Sequence, residues 1–207
     1  MKAVLRGLLF ISILVSGCAL APQKMSESDR KAIQLASINS NVVKPAAPYY
    51  LGPGGAVGVM FGALGAVATE PGREEGRNAF RDFLQKNGIS IERIVLEEFS
   101  AALRGSGKLS IADKAEAGAA TINITIRQYG LSIPNGFSSK LVPILFLVCE
   151  MVDASGKTVW RASDRVSPLG NPVEGLPAEQ IRNDPKAIEN AWRAAAKHIS
   201  ANIVKEL

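Results

Sequence analysis

The chain is poor in the residues from which catalytic and metal sites are built. One histidine, His198, stands among 207 residues, so no multi-histidine metal site can form. Any serine–histidine–acid relay would have to pass through that single ring. Two cysteines, Cys18 and Cys149, are too few for a disulfide framework or a cysteine-ligated zinc site. The second lies inside Ile144-Leu145-Phe146-Leu147-Val148-Cys149 and reads as a buried apolar thiol. Aromatic residues make up only 6% of the chain and nowhere interleave with a run of lysine and arginine, so no nucleic-acid footprint is present. No Walker loop or nucleophile elbow occurs, and Gly52-Pro53-Gly54-Gly55 lacks the lysine and the strand-to-helix setting of a phosphate loop. The expectation is a protein without catalytic residues, cofactor or metal, that is, not an enzyme.

What is present begins at the amino terminus. Lys2 and Arg6 precede an apolar run, Leu8 to Val15, which closes on Ser16, Gly17 and Cys18. A charged start, a short apolar core and small residues before a cut describe a secretory signal. The run is too short to cross a bilayer as a stable helix, which takes roughly 20 apolar residues. Removal of Lys2 and Arg6 with the signal lowers the formal net charge from +5 to +3.

Val15-Ser16-Gly17-Cys18 resembles the lipobox of bacterial lipoproteins. The resemblance implies that residues 1–17 are a lipoprotein signal peptide and that the mature chain starts at Cys18, carrying three acyl chains, palmitate among them. One acyl chain binds a membrane reversibly and two or more hold firmly, so the membrane itself becomes a partner. Ala19 follows the cysteine where an aspartate is the usual inner-membrane retention signal of enterobacterial lipoproteins. The outer membrane, on its periplasmic face, is the location this implies.

Residues 18–31 are polar and aperiodic and read as a tether, leaving 32–207 as a single periplasmic α/β domain. Partial alternation over 32–44 predicts a first strand, and Pro45, Pro48 and Pro53 then bracket Tyr49-Tyr50-Leu51. Gly54 to Ala68 follows without one charged or strongly polar residue, and on a helix Gly54, Gly58, Gly62 and Ala66 form one small-residue stripe. The stretch resembles the glycine-zipper segments of bacterial envelope lipoproteins. At about 1.5 Å per residue it reaches roughly 22 Å, short of the hydrocarbon thickness. Three roles stand open: a buried helix, a segment lying in the tethering membrane, or an oligomerisation element. Tyr49 and Tyr50 border it as aromatics border membrane interfaces, so Tyr49, Tyr50, Gly54, Gly58, Gly62 and Ala66 are the candidate membrane or oligomer contacts.

Beyond Gly72 the spacing of Ala79, Phe80, Phe83 and Leu84 predicts a helix ending at Asn87-Gly88. Ser90 can cap a second, with Ile91, Val95, Phe99 and Ala102 or Leu103 inward, stopped at Gly105-Ser106-Gly107. Glu92, Glu97 and Glu98 fall off that apolar stripe and read as a solvated face. Ile122, Ile124 and Ile126 alternate with polar residues as a half-buried strand. Leu141 to Val152, the turn Asp153-Ala154-Ser155-Gly156-Lys157 and Thr158 to Ala162 make a hairpin, with Pro143 near the start of its first arm. Residues 167–182 read as a loop. Asn183-Asp184-Pro185 then opens a closing helix with its stripe on Ile188, Ala191, Trp192, Ala195, Ile199 and Ile203. Trp160 and Trp192 read as core, and His198 as a helix-surface residue.

This order predicts an α/β (α+β) two-layer sandwich, a mixed, mainly antiparallel sheet of about four strands with helices packed on one face. The layout resembles small envelope lipoproteins related to the amino-terminal domain of TolB and the curli-secretion lipoprotein. Such relatives act as adaptors, transport accessories or export components. The functional expectation is therefore a non-enzymatic outer-membrane lipoprotein that docks on another, unidentified envelope protein in transport or envelope biogenesis. The alternative is a lipoprotein that self-associates as a homo-oligomer or inserts into the membrane through residues 54–68.

Overall fold

The alternation that starts at Thr121 becomes one of the two longest strands of a mixed sheet in the computed structural model, which describes residues 21–52, 70–112, 118–135 and 137–207. The strands are β1 (Leu35–Ile38), β2 (Tyr49–Leu51), β3 (Ser110–Ala112), β4 (Ala120–Ser132), β5 (Lys140–Val152), β6 (Thr158–Val166) and β7 (Leu176–Pro177). The helices are α1 (Glu27–Ala32), α2 (Glu70–Lys86), α3 (Ile91–Ser106), α4 (Ala178–Asn183) and α5 (Pro185–Lys205). The sheet runs β3-β1-β4-β5-β6, with β2 also on β4 and β7 on β5. The long strands β4, β5 and β6 are antiparallel, while β1 and β2 run parallel to β4. The α/β class is as expected, but the sheet has seven strands, not about four. The additional ones, β2, β3 and β7, span two or three residues each, too few for alternation to register.

One sheet face is the core. Ile122, Ile124 and Ile126 on β4, Leu145, Leu147, Cys149 and Met151 on β5, and Trp160, Ala162 and Val166 on β6 lie in one buried cluster. The six stripe residues of α5 are all buried with them, and α5 packs on α3, β5 and β6. A register shift in β4 between Ile126 and Gln128 keeps this face continuous. The extra residue at the bulge leaves Arg127 and Gln128 exposed and returns Tyr129 and Leu131 to the core, where an unbroken period of two would have pointed them outward.

The helix ends follow their sequence signals. Ser90 Oγ accepts from the Arg93 amide at 3.2 Å, Gly107 closes α3 at φ +64°, and Asp184 caps α5 with Pro185 in its first turn. Pro143 sits inside β5 at no cost to the ladder. Its carbonyl accepts from Asn171 Nδ2 at 2.7 Å, so its nitrogen faces the same side, in the gap between the rungs to β7 at Leu141 and to β6 at Leu145.

Two expectations need correction. Of the stretch read as a tether, residues from Gln23 onward belong to the folded domain. Gln23 exchanges backbone hydrogen bonds with Arg161, Met25 is buried, and Ser26 accepts from the Asp29 amide to cap α1. A serine three residues before an acid is a cap signature that the polar composition obscured. Likewise 167–182 is not wholly loop, since it contains β7 and α4 and buries Ile181.

Candidate functional site

The structure separates the two tyrosines beside the apolar stretch. β2 pairs Tyr49 with Gly130, Tyr50 with Leu131 and Leu51 with Ser132, so alternate residues face opposite sides. Tyr50 turns into the core, its ring 5.6 Å from that of Phe80, and burial drives its phenol pKa well up. Tyr49 and Leu51 stay at the surface. Of the candidate contact residues, Tyr49 is thus the exposed one among those described. Gly54, Gly58, Gly62 and Ala66, and the expected lipidation site Cys18, lie outside the described residues.

Gly130 is what allows β2 to reach β4. Its φ of +154° and an absent side chain both matter, because a Cβ there would stand 1.8 Å from the Tyr49 carbonyl oxygen. Its own carbonyl accepts from Trp192 Nε1 at 3.0 Å. Trp192 in turn packs against Tyr129 and Phe80, with ring centroids 5.8 and 6.0 Å away. One indole therefore ties the closing helix, the far end of β4 and α2 together.

A groove of about 790 Å³ opens beside this junction, bounded by Pro45, Pro48 and Tyr49, by Arg77 of α2, by Arg127 and Gln128 at the bulge, and by Phe146. Its walls combine apolar surface with the Arg77 and Arg127 guanidinium groups, the Glu74 carboxylate and the Ser163 hydroxyl, a chemistry suited to holding an amphiphilic chain segment. The bulge signal is weak in sequence. Only the switch from even to odd apolar positions, Ile126 to Tyr129, could have revealed it.

Several titratable side chains hold elements of the fold together. Glu97 and Glu98 are not merely solvated. Arg193 on α5 donates to them at 2.9 and 2.8 Å, and Arg93 reaches Glu189 on α5 at 2.9 Å, pinning α3 to α5. Glu92 meets Lys44 at 3.1 Å, and Lys44 lies 5.5 Å from the centre of the Tyr129 ring. Burial alone would raise the Glu92 pKa, but hydrogen bonds from its own amide, Lys44 and Ser90 outweigh that and hold it below the usual range. Burial likewise drives the Cys149 thiol upward, far from thiolate chemistry. His198 is exposed on α5, 3.3 Å from Asn202. Among the described residues no three acidic, histidine or cysteine side chains gather as a metal site. No described helix is long and apolar enough to cross a membrane.

No known sequence family and no curated protein matches the chain. Among solved structures it is similar to protein XCC0632 from Xanthomonas campestris, of family DUF330, at 15% identity and a TM-score of 0.38, covering 55% of this chain and 58% of that one. It thus spans little more than half of that protein's length. It is also similar to the PelC dodecamer from Paraburkholderia phytofirmans, at 11% identity and a TM-score of 0.37, covering 90% of this chain and 94% of that one. A third similarity is to a minor lipoprotein from Acinetobacter baumannii, at 9% identity and a TM-score of 0.38, covering 84% and 91%.

Proposed function

We propose that this protein is a non-enzymatic lipoprotein of the bacterial outer membrane, held on the periplasmic face through acylated Cys18. Its α/β domain docks on another envelope component as a transport accessory or assembly factor. The observation that carries this reading is Val15-Ser16-Gly17-Cys18 at the end of a short apolar run. The disposition of polar side chains supports it. The acids of α3 are held in ion pairs with Lys44 and Arg193, the buried thiol is inert, and the groove beside Tyr49 offers mixed apolar and charged walls for adhesion.

Two experiments test it in order. Metabolic labelling with palmitate marks the wild type and misses Cys18→Ala; equal labelling, or none in either, rejects the anchor. A photo-crosslinking residue in place of Tyr49 then captures one envelope protein in intact cells. Capture unchanged when the residue is moved to Ser155, on the opposite end of the sheet, rejects docking through the groove.

A second reading rests on the uncharged stripe Gly54, Gly58, Gly62 and Ala66, which suits close association between copies. Deleting 54–68 from the Cys18→Ala chain separates the readings. A folded, strictly monomeric product from an oligomeric parent favours self-association, and an oligomer that survives the deletion rejects it.

A further inference from the structure

The exposed large apolar side chains of the described residues are unevenly placed. Tyr49, Leu51, Phe137 and Leu169 are four of the five, the other being Val43. Leu51 pairs with Ser132 at the last rung of β4, and Phe137 lies in the connection from β4 to β5. Leu169 lies just past the end of β6, in the segment whose Asn171 holds the Pro143 carbonyl. The ladder registers put all three at one end of the sheet. Phe137 is fully exposed and Leu169 is 78% exposed, so neither serves the core. Chain folding does not require these side chains, and their gathering at one end of the sheet marks that end as an interaction surface.

The route of the amino-terminal segment says what that cover is. Gln23 pairs antiparallel with Arg161 on the outer edge of β6. Followed backward from Gln23, the chain heads toward the Val166 end of β6, where Leu169 follows. The five residues from Gln23 to Cys18 reach at most about 17 Å when extended, and the five from Arg161 to Val166 rise about the same distance. The tether is thus just long enough to bring the acylated cysteine level with the apolar end, and too short to carry it far past. The uncharged residues 54–68 join the domain at this same end, through Gly52 next to β2.

We infer that the end of the sheet bearing Leu51, Phe137 and Leu169 faces the bilayer, with Phe137 and Leu169 seated in its interface. The inference rests on the reading that Cys18 is acylated. It goes further by fixing which way the domain stands: strands directed at the membrane, the β5–β6 turn pointing into the periplasm. The acylated cysteine by itself holds the chain firmly to the membrane; apolar loop tips beside it add orientation, restricting the domain's tumbling about its tether.

The test uses the full acylated protein reconstituted into phosphatidylethanolamine–phosphatidylglycerol vesicles. An environment-sensitive fluorophore is placed singly on Phe137→Cys, Leu169→Cys and Ser155→Cys. All three sites are exposed, so the fold is undisturbed, and the buried Cys149 takes no label. The orientation predicts blue-shifted emission at 137 and 169, quenched several-fold more by lipid-borne quencher than at 155. Emission at 137 and 169 that stays water-like, or a larger shift at 155, overturns it. Mass measurement of the same preparations tells the two failures apart. Unmodified Cys18 defeats the anchor and the orientation with it, whereas acylated Cys18 with water-exposed 137 and 169 defeats the orientation alone.

Discussion

The two ends of the sheet are built on different terms. At the β5–β6 turn the hydrogen bonds that shape the loop are local. Asp153 accepts from the Ser155 and Lys157 amides at 2.9 and 3.0 Å and from the Ser155 hydroxyl, contacts that keep its carboxyl acidic. Gly156 takes φ +86°, and the exposed residues are small or charged. At the other end the connections after β4 and β6 hold Phe137 and Leu169 in solvent. The first end is explained by folding alone. The second carries apolar side chains that folding does not use, and the proposed anchor would set a membrane beside it.

Single substitutions should act very differently on the two ends. The largest effect belongs to the junction behind Tyr49: Trp192→Ala removes the fully buried indole and its hydrogen bond to Gly130, and thermal or denaturant unfolding should show a loss of about 3–5 kcal/mol. Gly130→Ala comes next, at about 2–3 kcal/mol, because the new methyl meets the Tyr49 carbonyl and β2 must retreat. Circular dichroism should show that variant still folded at low temperature but melting earlier, and wild-type stability would contradict the close approach of β2.

Acid should expose the ion pairs. The pKa of Glu92 is lowered in the folded state, so the stability it contributes is present above the unfolded carboxylate pKa and is lost as pH falls through the folded value. Denaturant midpoints measured from neutral pH into the carboxylate range should fall less steeply for Glu92→Gln than for wild type. Parallel curves would show that the Lys44 contact contributes nothing. Asp153→Ala should lower the melting temperature only slightly, since the carboxylate is exposed and its hydrogen bonds compete with water.

Smallest of all is the effect expected at the apolar end. Phe137→Ser and Leu169→Ser should leave the stability of the soluble domain unchanged within measurement. A loss comparable to a core change would show that these side chains fold the domain, and would erase the contrast between the ends.

Much of this architecture is legible in the amino-acid pattern. The three-isoleucine alternation of β4, the apolar run of β5 and the capped stripe of α5 are strong periodic signals, and each forms as its pattern dictates. Trp160 and Trp192 are legible as core for the same reason. The short strands are not, because β2, β3 and β7 exist through pairing with longer neighbours and not through their own pattern. The register shift at Gln128 hides the inward turn of Tyr129, and strand alternation at β2, unreadable over three residues, decides that Tyr50 is core and Tyr49 surface. Glu97 and Glu98 look solvated because a sequence cannot show that Arg193 lies across from them. The apolar end is invisible for another reason: single exposed residues such as Phe137 and Leu169 are ordinary until topology gathers them.

Anchor, orientation and docking all depend on the chemistry of one thiol, and mass spectrometry of the amino-terminal peptide, taken from protein extracted from cell envelopes with detergent, reads it directly. The predicted peptide begins at Cys18 and carries acyl chains on its sulfur-linked glyceride and its amine. A peptide that begins at Met1, or one in which Cys18 is a free thiol, would contradict it.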